Sequence, residues 1–118
     1  MLITVLKSKL HSAAVTAGDV NYQGSLGVSR DLMDAVGLVP YEKILVANIN
    51  NGERLETYVI PEDEPGQIIL NGAAAHKGEV GDRLIVMSFA QLYPEEVEGY
   101  QPRVAVLNEK NEIIEHKG

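Results

Sequence analysis

Apolar residues fall in short runs along this chain, and few of those runs carry the three-to-four spacing of a helix. Residues 2–6 and 10–16 are alternating or apolar stretches rich in Val, Ile, Leu and Thr, as strands are. The pattern predicts one short helix at Arg30–Val36, where Leu32, Met33 and Val36 share a face, Ser29 can cap the start and Gly37 suits the stop. Residues 42–49 and 53–60 read as strands around Asn50-Asn51-Gly52, whose Asn-Gly pair suits the positive φ angles of a tight hairpin turn. Acidic, proline-containing Pro61–Gly66 reads as loop. After it, Gln67–Leu70 and Arg83–Phe89 read as buried strands, with a single helical turn between them at Gly72–His76. Pro94 with Glu95 and Glu96 marks a helix start, and Arg103–Leu107 with Glu112–Glu115 reads as a final strand pair. Together these elements predict a mainly β fold, a small barrel with short helical inserts.

Size and charge narrow the picture. At 118 residues and 45% hydrophobic composition, the chain fits one domain spanning 1–118 with a modest core. Such a core makes a deep pocket easier to build between subunits than within one. The 17 acidic against 10 basic residues give a formal charge of −7, which opposes nucleic-acid binding and repels an anionic substrate unless a few cations act locally. There is no cysteine, so disulfides, thiol catalysis and thiolate metal sites are excluded, and a cytoplasmic location is expected. Lys7 and Lys9 interrupt the apolar N-terminus too early for a signal segment, and no run approaches the roughly 20 apolar residues of a membrane span.

The common catalytic signatures are missing: there is no phosphate-binding glycine loop, no paired-histidine metal motif and no Gly-x-Ser-x-Gly elbow. His11, His76 and His116 lack ligand-like spacing, so no metal is expected. The segment Asn21-Tyr22-Gln23-Gly24-Ser25-Leu26-Gly27 sets a Gly–Ser bond where a turn is expected, which alone says little. Its company says more. Lys7-Ser8-Lys9-Leu10-His11, Tyr22-x-Gly24-Ser25, Asn51-Gly52-x-Arg54-x-x-Thr57-Tyr58 and Asn71-Gly72-Ala73-Ala74-Ala75 occur in this order. Together they resemble the bacterial aspartate 1-decarboxylase family, from the N-terminus to about Val106.

That resemblance implies a double-psi β-barrel, a homotetramer with sites at subunit boundaries, and a pyruvoyl cofactor made from Ser25 in place of pyridoxal phosphate. Loss of CO2 from an amino acid leaves a carbanion, and a Schiff base conjugated to a second carbonyl absorbs its charge. Self-cleavage between Gly24 and Ser25 would create that carbonyl, with Thr57 implied as the oxyanion donor. The implied reaction converts L-aspartate to β-alanine for pantothenate and coenzyme A synthesis. Lys9 and Arg54 would hold the carboxylates, Tyr58 would return the proton, and Asn71 with the Ala73 backbone would position the adduct; His11 and Tyr22 are supporting candidates. A maturation partner is left open.

Ser12 stands where the family commonly has Arg, and Glu62-Asp63-Glu64-Pro65 replaces a basic, Gly-rich loop with one residue fewer. These departures support an alternative, a processing-deficient β-barrel that serves as an assembly or binding module. Strand alternation also raises a conflict, because it places Arg54 and Tyr58 on one face and Thr57 on the other. A bulge, a strong twist or a site shared between subunits would reconcile them.

Overall fold

The computed structural model describes residues 1–118. Its strands are β1 (Ile3–Ala14), β2 (Ala17–Asp19), β3 (Ser25–Ser29), β4 (Lys43–Asn48), β5 (Arg54–Glu62), β6 (Ile68–Asn71), β7 (Arg83–Leu92), β8 (Arg103–Leu107) and β9 (Ile113–Lys117). Two short helices, α1 (Arg30–Val36) and α2 (Pro94–Val97), and a 3-10 turn at Gly72–Lys77 complete the order.

The strands form one sheet in the order β2-β6-β3-β5-β4-β7-β1-β8-β9. Laid flat, that order would separate β1 from β2 by six strand spacings, about 29 Å. Only Val15 and Thr16 join them, a link of about 10 Å at full stretch, so the sheet has to curl. Backbone bonds from Val15 N to Asp82 O (2.9 Å) and from Thr16 N to Ile68 O (2.8 Å) tie this link to both flanks. The mainly β fold with short helical inserts therefore follows the expectation from the sequence.

Alternation fills the interior. Leu10, Leu26, Val28, Ile44, Val46, Val59, Ile68, Leu70, Leu84 and Val86 point inward and are fully buried, while α1 closes the core with Leu32, Met33 and Val36. Each such side chain contributes roughly 1.5–3 kcal/mol of burial free energy.

Several local expectations are corrected. Residues 2–6 and 10–16 are not separate strands: Lys7–Lys9 belong to the continuous β1, which absorbs irregularities between Leu6 and Ser8 and between His11 and Ala13. Ser12, at the second, has φ 71°, and Arg83 Nε holds its carbonyl at 2.7 Å. Pro61 and Glu62 lie in β5, not in a loop. Val59 bonds the 41–42 segment through both its N–H and C=O, so Pro61, two residues on, faces the same side beyond the end of that pairing. The β4–β5 hairpin is present, but only Gly52 of its Asn-Gly pair has positive φ, and Gly52 N bonds Asn48 O across a longer loop. Ser29 precedes α1 without capping it; its hydroxyl accepts from Gly66 N instead.

One polar side chain staples the far end of β1. Asn111, 5% exposed and at φ 60°, accepts from Ala14 N at 2.7 Å and donates to Ala14 O and Gly66 O, both at 2.8 Å. Removing it strands buried backbone groups, each costing about 1–3 kcal/mol. Asn111→Ala is therefore expected to lower unfolding free energy by about 2–4 kcal/mol in urea denaturation. An unchanged midpoint would contradict this account of the staple.

Candidate active site

Ser25 opens β3, directly opposite Asn71 at the end of antiparallel β6. The expected turn lies just before it: residues 20–22 bend, and the chain becomes extended at Ser25. Leu26 and Val28 enter the core, so Ser25 and Gly27 face the other way, yet Ser25 is fully buried. Its hydroxyl donates to Gln23 O at 3.1 Å and accepts from Asn71 Nδ2 at 3.1 Å. One donor and one acceptor thus fix the rotor of a group that sequence reasoning marked as a nucleophile.

The preceding residue faces different neighbours. Gly24 borders a cavity of about 260 Å³ with Thr57, Ala73, Ala74, Leu55, Glu56 and Lys77. Thr57 and Ala73 thus line the same cavity as Gly24. Gly72 makes the approach possible: at φ 63°, a Cβ there would stand 2.7 Å from both Gly24 Cα and N and 2.9 Å from Tyr22 O. Its role went unassigned from sequence, although an Asn-Gly pair signals a positive φ.

The remaining candidates lie on the outer surface of the sheet. Pairing is regular along β4–β5, from Lys43 opposite Tyr58 to Ala47 opposite Arg54, so no bulge there turns Thr57 toward Arg54. Continuing the β3–β5 register one step before Leu26 opposite Val59 brings Ser25 beside Tyr58, on the same face. Tyr58 also lies near Tyr41, ring centroids 6.2 Å apart. Successive pairings align His11, Ile85, Ala47 and Arg54 in one row across β1, β7, β4 and β5, and Lys9, Met87, Leu45 and Glu56 in the next. Lys9 and His11 thus share the outer face with Arg54 and Tyr58, three strand spacings, about 14 Å, from β5. Neither is hydrogen-bonded to Ser25, whose hydroxyl is bonded to Gln23 O and Asn71 Nδ2. Neither Lys9 nor Arg54 is in an ion pair, and His11 Nδ1 is buried without a partner.

Tyr22 borders a second cavity, of about 400 Å³, with Asp19, Glu62 and Asn71. Burial, then the charge of Asp63, holds the Glu62 carboxyl above its ordinary range. No group of His, Asp and Glu side chains has the geometry of a metal site. No helix is long and apolar enough to cross a membrane.

A buried serine bonded to an asparagine, and preceded by a glycine that shares a cavity with a threonine, thus sits in a small, mainly β fold. Comparison with known proteins identifies the family. The family model described as aspartate decarboxylase matches residues 1–114. An aspartate 1-decarboxylase of Bacillus licheniformis is 50% identical, covering 100% of this chain and 94% of its own. Those of Acaryochloris marina and Thermosipho africanus are 49% and 48% identical, covering 95% and 96% of this chain and 86% and 93% of their own. The chain belongs to the aspartate decarboxylase family.

The contact at Gly72 makes its own prediction. Gly72→Ala combines left-handed strain, about 1–2 kcal/mol, with overpacking of about 1–3 kcal/mol against Gly24. Urea unfolding is expected to show a loss of about 2–4 kcal/mol, with faster amide exchange at residues 22–25. Wild-type stability and exchange would show that no such contact exists.

Proposed function

We propose that residues 1–118 form a single self-processing domain that decarboxylates L-aspartate to β-alanine and CO2, using a pyruvoyl group derived from Ser25. The observation that carries this reading is the Ser25 hydroxyl, buried, oriented by Asn71 and Gln23, and adjacent to the Gly24 carbonyl. Family membership over nearly the whole chain supports the substrate and the supply of β-alanine for pantothenate.

In processing, Ser25 Oγ attacks the Gly24 carbonyl carbon, and Thr57 donates to the oxygen as charge gathers on it. The peptide C–N bond breaks to give an ester. Loss of the Ser25 Hα and expulsion of the Gly24 carboxylate leave dehydroalanine, which takes up water and releases ammonia. The products are residues 1–24 and a chain capped at position 25.

The residues fit such a cap. Burial at residue 25 shields it, Asn71 Nδ2 supplies a donor, and Gly24 and Gly72 leave room beside it. When formed, the pyruvoyl group supplies the electron sink that decarboxylation needs, with neither metal nor pyridoxal phosphate. Arg54 binds a substrate carboxylate through its planar fork, Lys9 adds a second positive charge, and Tyr58 carries a proton to Cα. Asn71 and the Ala73 backbone orient the substrate, while His11 and Tyr22 border the site.

The inner placement of Thr57 suits cleavage at Gly24, and the outer placement of Tyr58 suits chemistry at residue 25. The three strands that stand between Lys9 on β1 and Ser25 on β3 in the sheet order support sites shared between copies, and we assign the enzyme as a cytoplasmic homotetramer. Against the alternative of a processing-deficient module, the Ser25–Asn71 bond and the cavity shared by Gly24 and Thr57 support the self-processing reading.

Intact-mass measurement tests the reading. The purified chain is expected to yield a fragment ending at Gly24 and a second lacking a free N-terminal amine, whereas Ser25→Ala stays full length and releases no CO2 from aspartate. A parent chain that remains whole after ageing, or a Ser25→Ala chain that cleaves, would overturn it. Arg54→Ala is expected to lower kcat/KM for aspartate by about 10–100-fold, the worth of a charged hydrogen bond, chiefly through KM. Unchanged steady-state kinetics would remove Arg54 from the site.

A further inference from the structure

Resting on the reading that the Gly24–Ser25 bond is self-cleaved, we propose that Glu62 is the proton-transfer group for that cleavage. The attack needs a base for the Ser25 hydroxyl proton, and the groups bonded to that hydroxyl supply none. Asn71 donates its amide N–H, and Gln23 offers a neutral backbone carbonyl. His11 makes no bond to that hydroxyl, and its Nδ1 is buried without a partner.

Glu62 ends β5, opposite Ser29 of β3. Its side chain runs back along β3 and lies across Gly27: a Cβ at Gly27 would collide with Glu62 Oε2 and stand 3.0 Å from Cδ and Cγ. Gly27 thus leaves the space that the carboxylate fills. Ser25 and Gly27 are two residues apart on one strand, so they share a face about 7 Å apart. The carboxylate therefore sits on the face that carries the Ser25 hydroxyl, and water in the cavity that Glu62 shares with Asn71, the bond partner of Ser25, would link the two.

The surroundings favour proton transfer. Glu62 borders the cavity of about 400 Å³ together with Asn71, the partner of Ser25, and Tyr22, from the segment before the scissile bond. The cavity has room and polar partners for water. Asp19 also borders that cavity, and Asp63 adjoins Glu62 in sequence. The nearby cation Arg30 is held by Asp63 at 3.0 Å, and Glu62 belongs to no ion pair. Burial, then the Asp63 charge, raises its pKa above the ordinary carboxylate range, which strengthens it as a base.

The step balances. The Ser25 hydroxyl proton passes to Glu62 as the bond from Oγ to the Gly24 carbon forms. As the peptide C–N bond breaks, Glu62 returns the proton to the Ser25 nitrogen, giving the ester isomer with no net proton change.

The test follows cleavage of freshly purified full-length chain by intact mass, from roughly pH 4 to pH 8, a range that spans a raised carboxylate pKa. In the parent chain, the rate is expected to rise with pH as Glu62 ionises. Glu62→Gln is expected to cleave about 100-fold more slowly at neutral pH and to lose that rise, while Glu62→Asp keeps the rise at an intermediate rate. Gly27→Ala, which pushes the carboxylate aside, is expected to slow the parent chain but not Glu62→Gln. Circular dichroism checks that each variant is folded. Glu62→Gln cleaving at the parent rate with the parent pH profile would overturn the proposal while leaving self-cleavage intact. A parent chain that never cleaves would overturn both.

Discussion

The architecture around the candidate site depends on the antiparallel pairing of β3 with β6, which sets Ser25 opposite Asn71 and joins their side chains at 3.1 Å. A shift of one residue in that pairing would turn Ser25 into the core and bring Leu26 out. The register is guarded by the buried Leu26, Val28, Ile68 and Leu70, whose alternation admits only one arrangement with the apolar side inward. Hydrophobic burial thus supplies the energy, and the polar pair at the strand end uses the position it fixes.

The same alternation gives two adjacent residues different company. Gly24 meets Thr57 and Ala73 at one cavity, while the Ser25 side chain lies on the face of Tyr58 and Arg54. In the proposed chemistry this separates making the reactive group from using it: the oxyanion donor stands by the glycine, and the proton carrier and carboxylate anchor stand by residue 25. The conflict raised by the spacing of Arg54, Thr57 and Tyr58 needs no bulge, and β4–β5 has none. The separation of Lys9 from β3 remains, and a neighbouring copy is the proposed answer.

Much of the fold was legible in the residues. Helix α1 has the predicted limits because Leu32, Met33 and Val36 repeat at helical spacing and Gly37 takes φ 76°. The hairpin at Asn48–Glu53 and the strands Ile68–Asn71 and Arg103–Leu107 follow from short apolar runs between turn formers. Other features were hidden for physical reasons. Lys7 looks like a break in β1, yet its ammonium is held by the Glu42 carboxylate, both oxygens at 3.1 Å, so the strand continues through it. Pro61 reads as loop because its tolerance depends on which side of β5 is unpaired. Glu62 looked like part of a solvated acidic stretch, and only the absence of a side chain at Gly27 draws it toward β3. Thr57 and Ala73 were identified through family resemblance, and their common border with Gly24 is a tertiary fact.

The central claim is that residue 25 carries a ketone after cleavage, and a carbonyl reagent tests it most directly. Treating the aged protein with a hydrazine and mapping the labelled peptides should place the label on the chain beginning at position 25, and on no other peptide. A free serine amine at that terminus, readable by stepwise N-terminal sequencing and unlabelled by hydrazine, would contradict the account.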